Sequence, residues 1–326
     1  MKALVCTEYG PPHKLSVRDI ASPRPGPQQI LVDVKAGALN FPDGLMVQGL
    51  YQVKPPLPFT PGAEMAGIVK EVGEGVTSVA VGDRIIGFPG LGAFAEECLV
   101  DAGRAMPLPE SMDFATGAAL VLTYGTSLHA LQDCGGLREG ETLLVLGAAG
   151  GVGAAAIEIG KAMGARVIAA ASSEDKLALC RQLGADETIN YATEDLRKRT
   201  LALTGDKGVD VVYDPVGGDY TESALRATAW RGRLLIVGFA AGAIPKIPLN
   251  LALLKERALI GVYWGDSTRH DPLGHARNMR RLMAWFAEGR IKPVVSERIP
   301  LAQAPDAMAR ILARQVKGKV VILPED

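Results

Sequence analysis

The stretch Leu143-Leu144-Val145-Leu146-Gly147-Ala148-Ala149-Gly150-Gly151-Val152-Gly153 decides the fold. An apolar run over residues 141–147 has strand length. It passes through a glycine-rich turn into an alanine-rich stretch over residues 152–163, where Val152, Ala156, Ile159 and Met163 fall at helical spacing. In a strand–turn–helix of this kind Gly150 lets the backbone approach a pyrophosphate, and Gly153 lets the helix pack closely on the strand. The first helical residues add free N–H groups and the positive end of the helix dipole. Ala148 stands where the first glycine of a G-x-G-x-x-G fingerprint would be, so the weight falls on the strand before the turn and the helix after it. Ala148, Gly150, Gly151, Val152 and Gly153 are the expected cofactor contacts of this turn, and a purely structural glycine turn is the competing account.

Downstream the chain alternates: strand at 166–171, helix at 174–183, strand at 209–214, helix at 221–229 and strand at 233–239. Alternation of this sort predicts a parallel, doubly wound α/β sheet. The end of the second strand selects the dinucleotide. An NAD enzyme places Asp or Glu there for the ribose 2′-hydroxyl. Here the strand ends at Ala171 and is followed by Ser172 and Ser173, with Lys176 one turn on, a set that suits a 2′-phosphate and favours NADP(H). Glu174 and Asp175 either open the helix, where acids suit the dipole, or swing toward the ribose.

The first ~120 residues read differently. Residues 29–35, 65–72 and 84–88 are strand candidates separated by glycine turns, and prolines at 23–27 and 55–61 bar long helices. This part is expected to be a β-rich barrel or sandwich with long loops. The tail carries helices at 276–288 and 304–313 and a last strand at 319–323, which would return to the first domain.

Composition narrows the function. At 326 residues the chain is long enough for about two domains. Its net charge of −1 lacks the basic field that nucleic-acid binding usually needs, so nucleic acid is not expected as a partner. No apolar run is long enough to span a membrane, and Met1–Glu8 reaches acid too soon for a signal peptide, so a cytoplasmic protein is expected. The cysteines Cys6, Cys98, Cys134 and Cys180 lie far apart and are expected to be reduced, buried thiols.

These features together resemble a known family. The strand–GAAGGVG–helix unit, PGAEMAG (61–67), VGDRI (81–85) and the terminal GKVVIL are similar to the medium-chain dehydrogenase/reductase superfamily. AGALNFPD (36–43), LTYGTS (122–127) and GADETINY (184–191) resemble its quinone oxidoreductase branch. GLYQVKPPLPFTPG (49–62) and GVYWG (261–265) are most like the quinone oxidoreductase-like protein 2 group. The resemblance covers essentially the whole chain. It implies a GroES-like β-rich catalytic domain formed by residues 1–122 and completed by 265–326, with a Rossmann NADP-binding domain at 123–264 and an active site in the cleft between them.

Zinc-dependent relatives carry Cys where this chain has Asn40 and His where it has Ala63. Their third ligand falls within 120–124, where this chain has no Cys or His. No metal is therefore expected, and Glu64 reads as a structural hydrogen-bonding residue, with a catalytic role left open. Without a Lewis acid to polarise an alcohol, the implied reaction is zinc-independent hydride transfer from NADPH to a quinone or an α,β-unsaturated carbonyl. The resemblance places Asn40 and Thr123 at the nicotinamide end; a loop-closing Asn and a helix-capping Thr are the alternatives. It implies Tyr191 at the adenosine end, Lys176 at the 2′-phosphate, Arg314 at the phosphates and Phe239 beside the nicotinamide.

Some relatives carry a tyrosine two residues beyond the Asp of NFxD, but here Asp43 is followed by Gly44 and Leu45. Tyr51, or the pair Tyr263-Trp264, is left to supply an aromatic wall, or else to pack in a core or a dimer contact. A homodimer paired near residues 262–264 is expected from the family. The alternatives are an enoyl- or acryloyl-CoA reductase, and a non-catalytic NADPH-binding protein of the crystallin or RNA-binding kind.

Overall fold

Short alternating apolar runs and repeated prolines make the first 122 residues sheet rather than helix. The computed structural model describes residues 1–325. Its strands begin with β1 (Lys2–Val5), β2 (Ser16–Asp19), β3 (Gln29–Ala38), β4 (Glu64–Val72), β5 (Arg84–Gly87), β6 (Glu97–Asp101) and β7 (Ala105–Pro107), with helices α1 (Phe41–Val47) and α2 (Phe114–Ala118) between and after them. β3 is the spine, antiparallel to β4 on one side and to β6 along its first half. Its inward residues Ile30, Val32 and Val34 are completely buried with Met65, Ile85 and Phe94. Each such aliphatic side chain contributes roughly 1.5–3 kcal/mol of burial free energy.

The middle of the chain begins within α3 (Val121–Leu128). It contains β8 (Thr142–Val145), α4 (Gly151–Ala162), β9 (Arg166–Ala171), α5 (Glu174–Gln182), β10 (Glu187–Asn190), α6 (Leu196–Leu203), β11 (Val209–Asp214), α7 (Asp219–Arg226), β12 (Thr228–Ile236), α8 (Asn250–Leu253), β13 (Ala258–Gly261), α9 (Trp264–His270) and α10 (Pro272–Ala287). The six strands are all parallel, in the order β10-β9-β8-β11-β12-β13. This is the doubly wound order in which winding reverses between β8 and β11, where such sheets bind ligands beyond the strands' carboxyl ends. Several expected boundaries move, and the helix expected over 276–288 begins at Pro272. The helix expected over 221–229 ends at Arg226, because Thr228 enters β12 and pairs with Val209. β12 in turn stops at Ile236, and Phe239 lies beyond it, where the chain folds back so that Val237 N–H reaches Asp214 O at 2.9 Å.

The last strands, β14 (Val295–Pro300) and β15 (Lys319–Leu323), are joined by α11 (Ala304–Leu312). β15 pairs antiparallel with β3, placing Val321 opposite Ala38, so the tail completes the first sheet as expected. That sheet has seven strands, with the path β14-β15-β3-β4-β5-β7 and β6 on the far part of β3. The chain divides into two units, Met1–Leu122 with the chain from Pro293 onward, and Thr123–Lys292. The return was expected at residue 265; it comes at Pro293, because residues 265–292 pack within the second unit. There Trp264 lies over Gly125, and Asn278 Nδ2 donates to Asp133 at 2.7 Å. Among the described residues no helix is long and apolar enough to cross a membrane.

Candidate functional site: an open turn and a closed polar node

In the second unit, β8 runs into the turn at Gly147, which adopts φ +56, and Ala148 N–H is fixed to Ala170 O at 3.1 Å. Gly150 is the N-cap residue of α4 and makes no side-chain cap bond. Gly151, Val152 and Gly153 open the helix, where no carbonyl one turn back exists to receive their N–H groups. Ser127 steadies the turn from below: its hydroxyl donates to Val152 O at 3.0 Å and, having a single proton, accepts from the buried Tyr213 hydroxyl at 2.9 Å.

The two glycines that matter have different causes. A Cβ at Gly153 would sit 2.4 Å from Gly147 O and 2.7 Å from Ala148 Cα, so helix–strand packing demands glycine there. A Cβ at Gly150 would meet nothing closer than Gly147 O at 3.4 Å. Packing inside the chain therefore leaves Gly150 room for a side chain, unlike Gly153.

Beyond β9 the chain caps α5 with Ser173, whose hydroxyl accepts from Lys176 N–H. Lys176 Nζ lies 3.3 Å from the exposed Ser172 Oγ, so the cation and hydroxyl read from the sequence do converge. Glu174 is held away along the helix by Arg181 at 2.6 Å, and that guanidinium draws its carboxyl below the usual range. Tyr191 follows β10 with its ring against Tyr220, the centroids 4.5 Å apart. Phe239 is 38% exposed and borders a cavity of about 130 Å³ with Asp214, Thr221 and Ile244. Trp264 is buried against Gly125 and His275 and belongs to the core, whereas its neighbour Tyr263 is exposed.

The first unit holds the other candidates. Asn40, at the start of α1, is nearly fully buried. Its amide donates to Ala38 O at 3.1 Å and to Glu64 Oε1 at 2.9 Å, and its Oδ1 accepts from Lys319 Nζ at 2.6 Å. Lys319 Nζ also donates to Leu39 O and Glu64 Oε1, both at 2.9 Å, which engages all three of its hydrogens. Glu64 Oε2 accepts from Leu122 N–H at 2.7 Å. Asp43 completes the node by accepting from Asn40 N–H at 2.8 Å. Burial pushes its carboxyl up to about 7, against the lowering effect of Asn40 N–H and the Lys319 charge.

This node alters the reading of Asn40. An amide with both hydrogens engaged inside its own unit closes the loop, the alternative account, and leaves no N–H for a bound carboxamide. It also bears on zinc. Asn40 and Ala63 supply no usual ligand, Glu64 is paired with a fully bonded ammonium, and Asp43 is engaged by Asn40 N–H. That donor set does not fit a zinc ion.

Thr123 is buried in the first turn of α3, so it is no helix cap. Tyr51 is half-buried in the loop between α1 and β4, and Arg314 is exposed in the first unit after α11, with φ +60. Lys319 and Asp43 escaped the sequence reading. The available signal was a lysine opening the otherwise apolar strand KVVIL, which has to find a buried partner.

With the geometry described, comparison with known proteins places the chain. Residues 151–286 match the family model described as zinc-binding dehydrogenase, and 26–110 that of the alcohol dehydrogenase GroES-like domain. The chain is 39% identical to quinone oxidoreductase-like protein 2 of Rattus norvegicus over 98% of this chain and 91% of that one. It is 38% identical to a quinone oxidoreductase of Pseudomonas aeruginosa over 99% of both. Among solved structures, Escherichia coli quinone oxidoreductase complexed with NADPH aligns with a TM-score of 0.91 at 31% identity, covering 99% of this chain and 100% of that one.

Proposed function

The chain belongs to the medium-chain dehydrogenase/reductase superfamily, in its quinone oxidoreductase branch, and from that premise we propose that it is a metal-independent, NADPH-dependent reductase acting on a quinone or an α,β-unsaturated carbonyl compound. The observation that carries this reading is the end of β9, where Lys176 Nζ meets Ser172 Oγ at 3.3 Å while Glu174 is tied to Arg181. A cation beside a hydroxyl, with Glu174 paired to Arg181, suits a 2′-phosphate. The NADPH complex of the E. coli relative supports the same cofactor.

When bound, the dinucleotide supplies the hydride. The chain's part is to bind, orient and hold. The N–H groups of Gly151, Val152 and Gly153 receive the pyrophosphate at the positive end of α4. Lys176, Ser172 and Ser173 hold the 2′-phosphate, Tyr191 packs at the adenosine end against Tyr220, and Arg314 adds positive charge at the phosphates. Phe239 and Thr123 border the nicotinamide, and Tyr51 contributes to the acceptor side. Asn40 acts through position: with Glu64 and Lys319 it fixes the chain at 38–41 and, through Leu122 N–H, the start of the crossing into the second unit.

The same reading includes a homodimer. Among the described residues β13 has one unpaired edge, and Leu253, Leu254 and Tyr263 near it are exposed. Sedimentation at micromolar concentration is expected to give twice the chain mass, and a monomer would refute this part. The activity is tested by following NADPH and NADH consumption with a simple quinone, a small enone and an enoyl-CoA. The reading expects NADPH well above NADH and turnover with the quinone or the enone; preference for the enoyl-CoA would move the assignment to the thioester reductases.

A further inference from the structure

Past α3 the helix widens into a π-helical turn, His129–Cys134, a form that concentrates at functional sites. The turn links three side chains in series. His129 Nδ1 lies 2.9 Å from Asp133 Oδ2, and His129 Nε2 lies 3.4 Å from Cys134 Sγ. Asp133 is itself held, with Gln132 Nε2 donating to its Oδ1 at 2.9 Å and Asn278 Nδ2 to its Oδ2 at 2.7 Å. Arg281, in turn, donates to Gln132 Oε1. None of these residues belongs to the phosphate turn, the Ser172–Lys176 pair or the Asn40 node.

We propose that Cys134, His129 and Asp133 form a nucleophilic thiol site that is covalently modified by α,β-unsaturated carbonyl compounds. Orienting carboxylate, base and thiol stand in the order that thiol nucleophiles require, each within hydrogen-bond reach of the next. Asp133 accepts the Nδ1 proton and thereby turns Nε2 toward sulfur. Because the groups are bonded in line rather than converging on one point, the cluster is built for proton transfer and not for metal binding; among the described residues no His, Cys, Asp or Glu group suits a metal ion. The hydrogen bonds to Asp133 and then Cys134 push the His129 ring up to about 9, which makes it a strong acceptor for the thiol proton.

The step balances without any oxidant. As His129 Nε2 takes the thiol proton the S–H bond breaks, sulfur attacks the β-carbon to form an S–C bond, and the C=C π pair moves onto the carbonyl oxygen as an enolate. His129 then returns the proton to the α-carbon, leaving a thioether. Access singles out this thiol. Cys134 is half-buried, whereas Cys6, Cys98 and Cys180 are buried, and burial pushes the Cys98 and Cys180 thiols up to about 12. The expectation of four buried thiols thus fails at Cys134 alone.

The experiment exposes the full chain, without NADPH, to cyclohex-2-enone and maps adducts by peptide mass, with thermal unfolding as a folding control. The proposal expects one adduct, on Cys134, formed roughly 10²-fold more slowly in His129→Gln. Asp133→Asn, expected to be slowed to a lesser degree, serves as the readout if His129→Gln does not fold. Equal labelling rates in the wild type and the folded variants would reduce the site to an accessible thiol and overturn the proposal, as would adducts on the other cysteines or none at all. Because no cofactor is present, this outcome is independent of the reductase reading.

Discussion

The turn at Leu146–Gly153 and the node around Asn40 are both rich in polar hydrogens, and they deploy them in opposite ways. At the turn the first N–H groups of α4 have no carbonyl to meet, and a Cβ at Gly150 would meet only Gly147 O, at 3.4 Å. At the node every hydrogen of the Lys319 ammonium and of the Asn40 amide is engaged by Leu39, Ala38, Glu64 or the two side chains themselves. Unmet donors beside empty space make a binding surface, whereas met donors in a buried site make a scaffold. Two stretches that the family resemblance both assigns to the active region therefore do different work.

The largest effect is expected at the closed node. Lys319→Met strands the Glu64 carboxylate and should destabilise the protein by about 3–5 kcal/mol, read by urea unfolding. A loss below about 1 kcal/mol would mean the node is not closed. The glycines sharpen the contrast. Gly153→Ala drives a Cβ into the backbone of Gly147 and Ala148 and should cost about 3 kcal/mol. Gly150→Ala should leave Tm nearly unchanged while weakening NADPH binding; a matching Tm loss would make Gly150 structural as well.

The second unit buries a carboxylate of its own, in α4. Glu158 is pushed up to about 7 by burial, against the donors Tyr124 and Lys292 N–H. The folded state thus keeps its proton between the ordinary value of 4.5 and about 7, so this residue's contribution to stability falls as pH rises through that window. Unfolding at about pH 5 and about pH 8 should show Glu158→Gln gaining on the wild type by on the order of 2 kcal/mol at the higher pH. The smallest effect belongs to Lys176→Ala, roughly a tenfold weaker Kd for NADPH with NADH unaffected.

Much of this was legible in the sequence because it depends on local pattern. The strand–turn–helix at 143–163 and the strands at 166–171 and 209–214 follow from apolar periodicity, and the structure keeps them close to the expected bounds. Ser172 and Lys176 were readable because they are one helical turn apart, so their meeting is a local event. The node was only half legible. Asn40, Glu64 and Lys319 are joined by pairing between β15 and β3 across most of the chain, which no local window reports. Long-range burial likewise decided that 265–292 stays with the second unit and that Trp264 is core. The Cys134–His129 contact went unread because a five-residue spacing misses the face of an ordinary α-helix and meets only in a π-turn.

The most direct test is steady-state NADPH consumption with a quinone acceptor, run beside NADH, in the wild type and in Lys176→Ala. The account predicts turnover with NADPH well above NADH and a preference that collapses in the variant while turnover with NADH persists. Equal use of both cofactors by the wild type, or a preference untouched by removing Lys176, would contradict it.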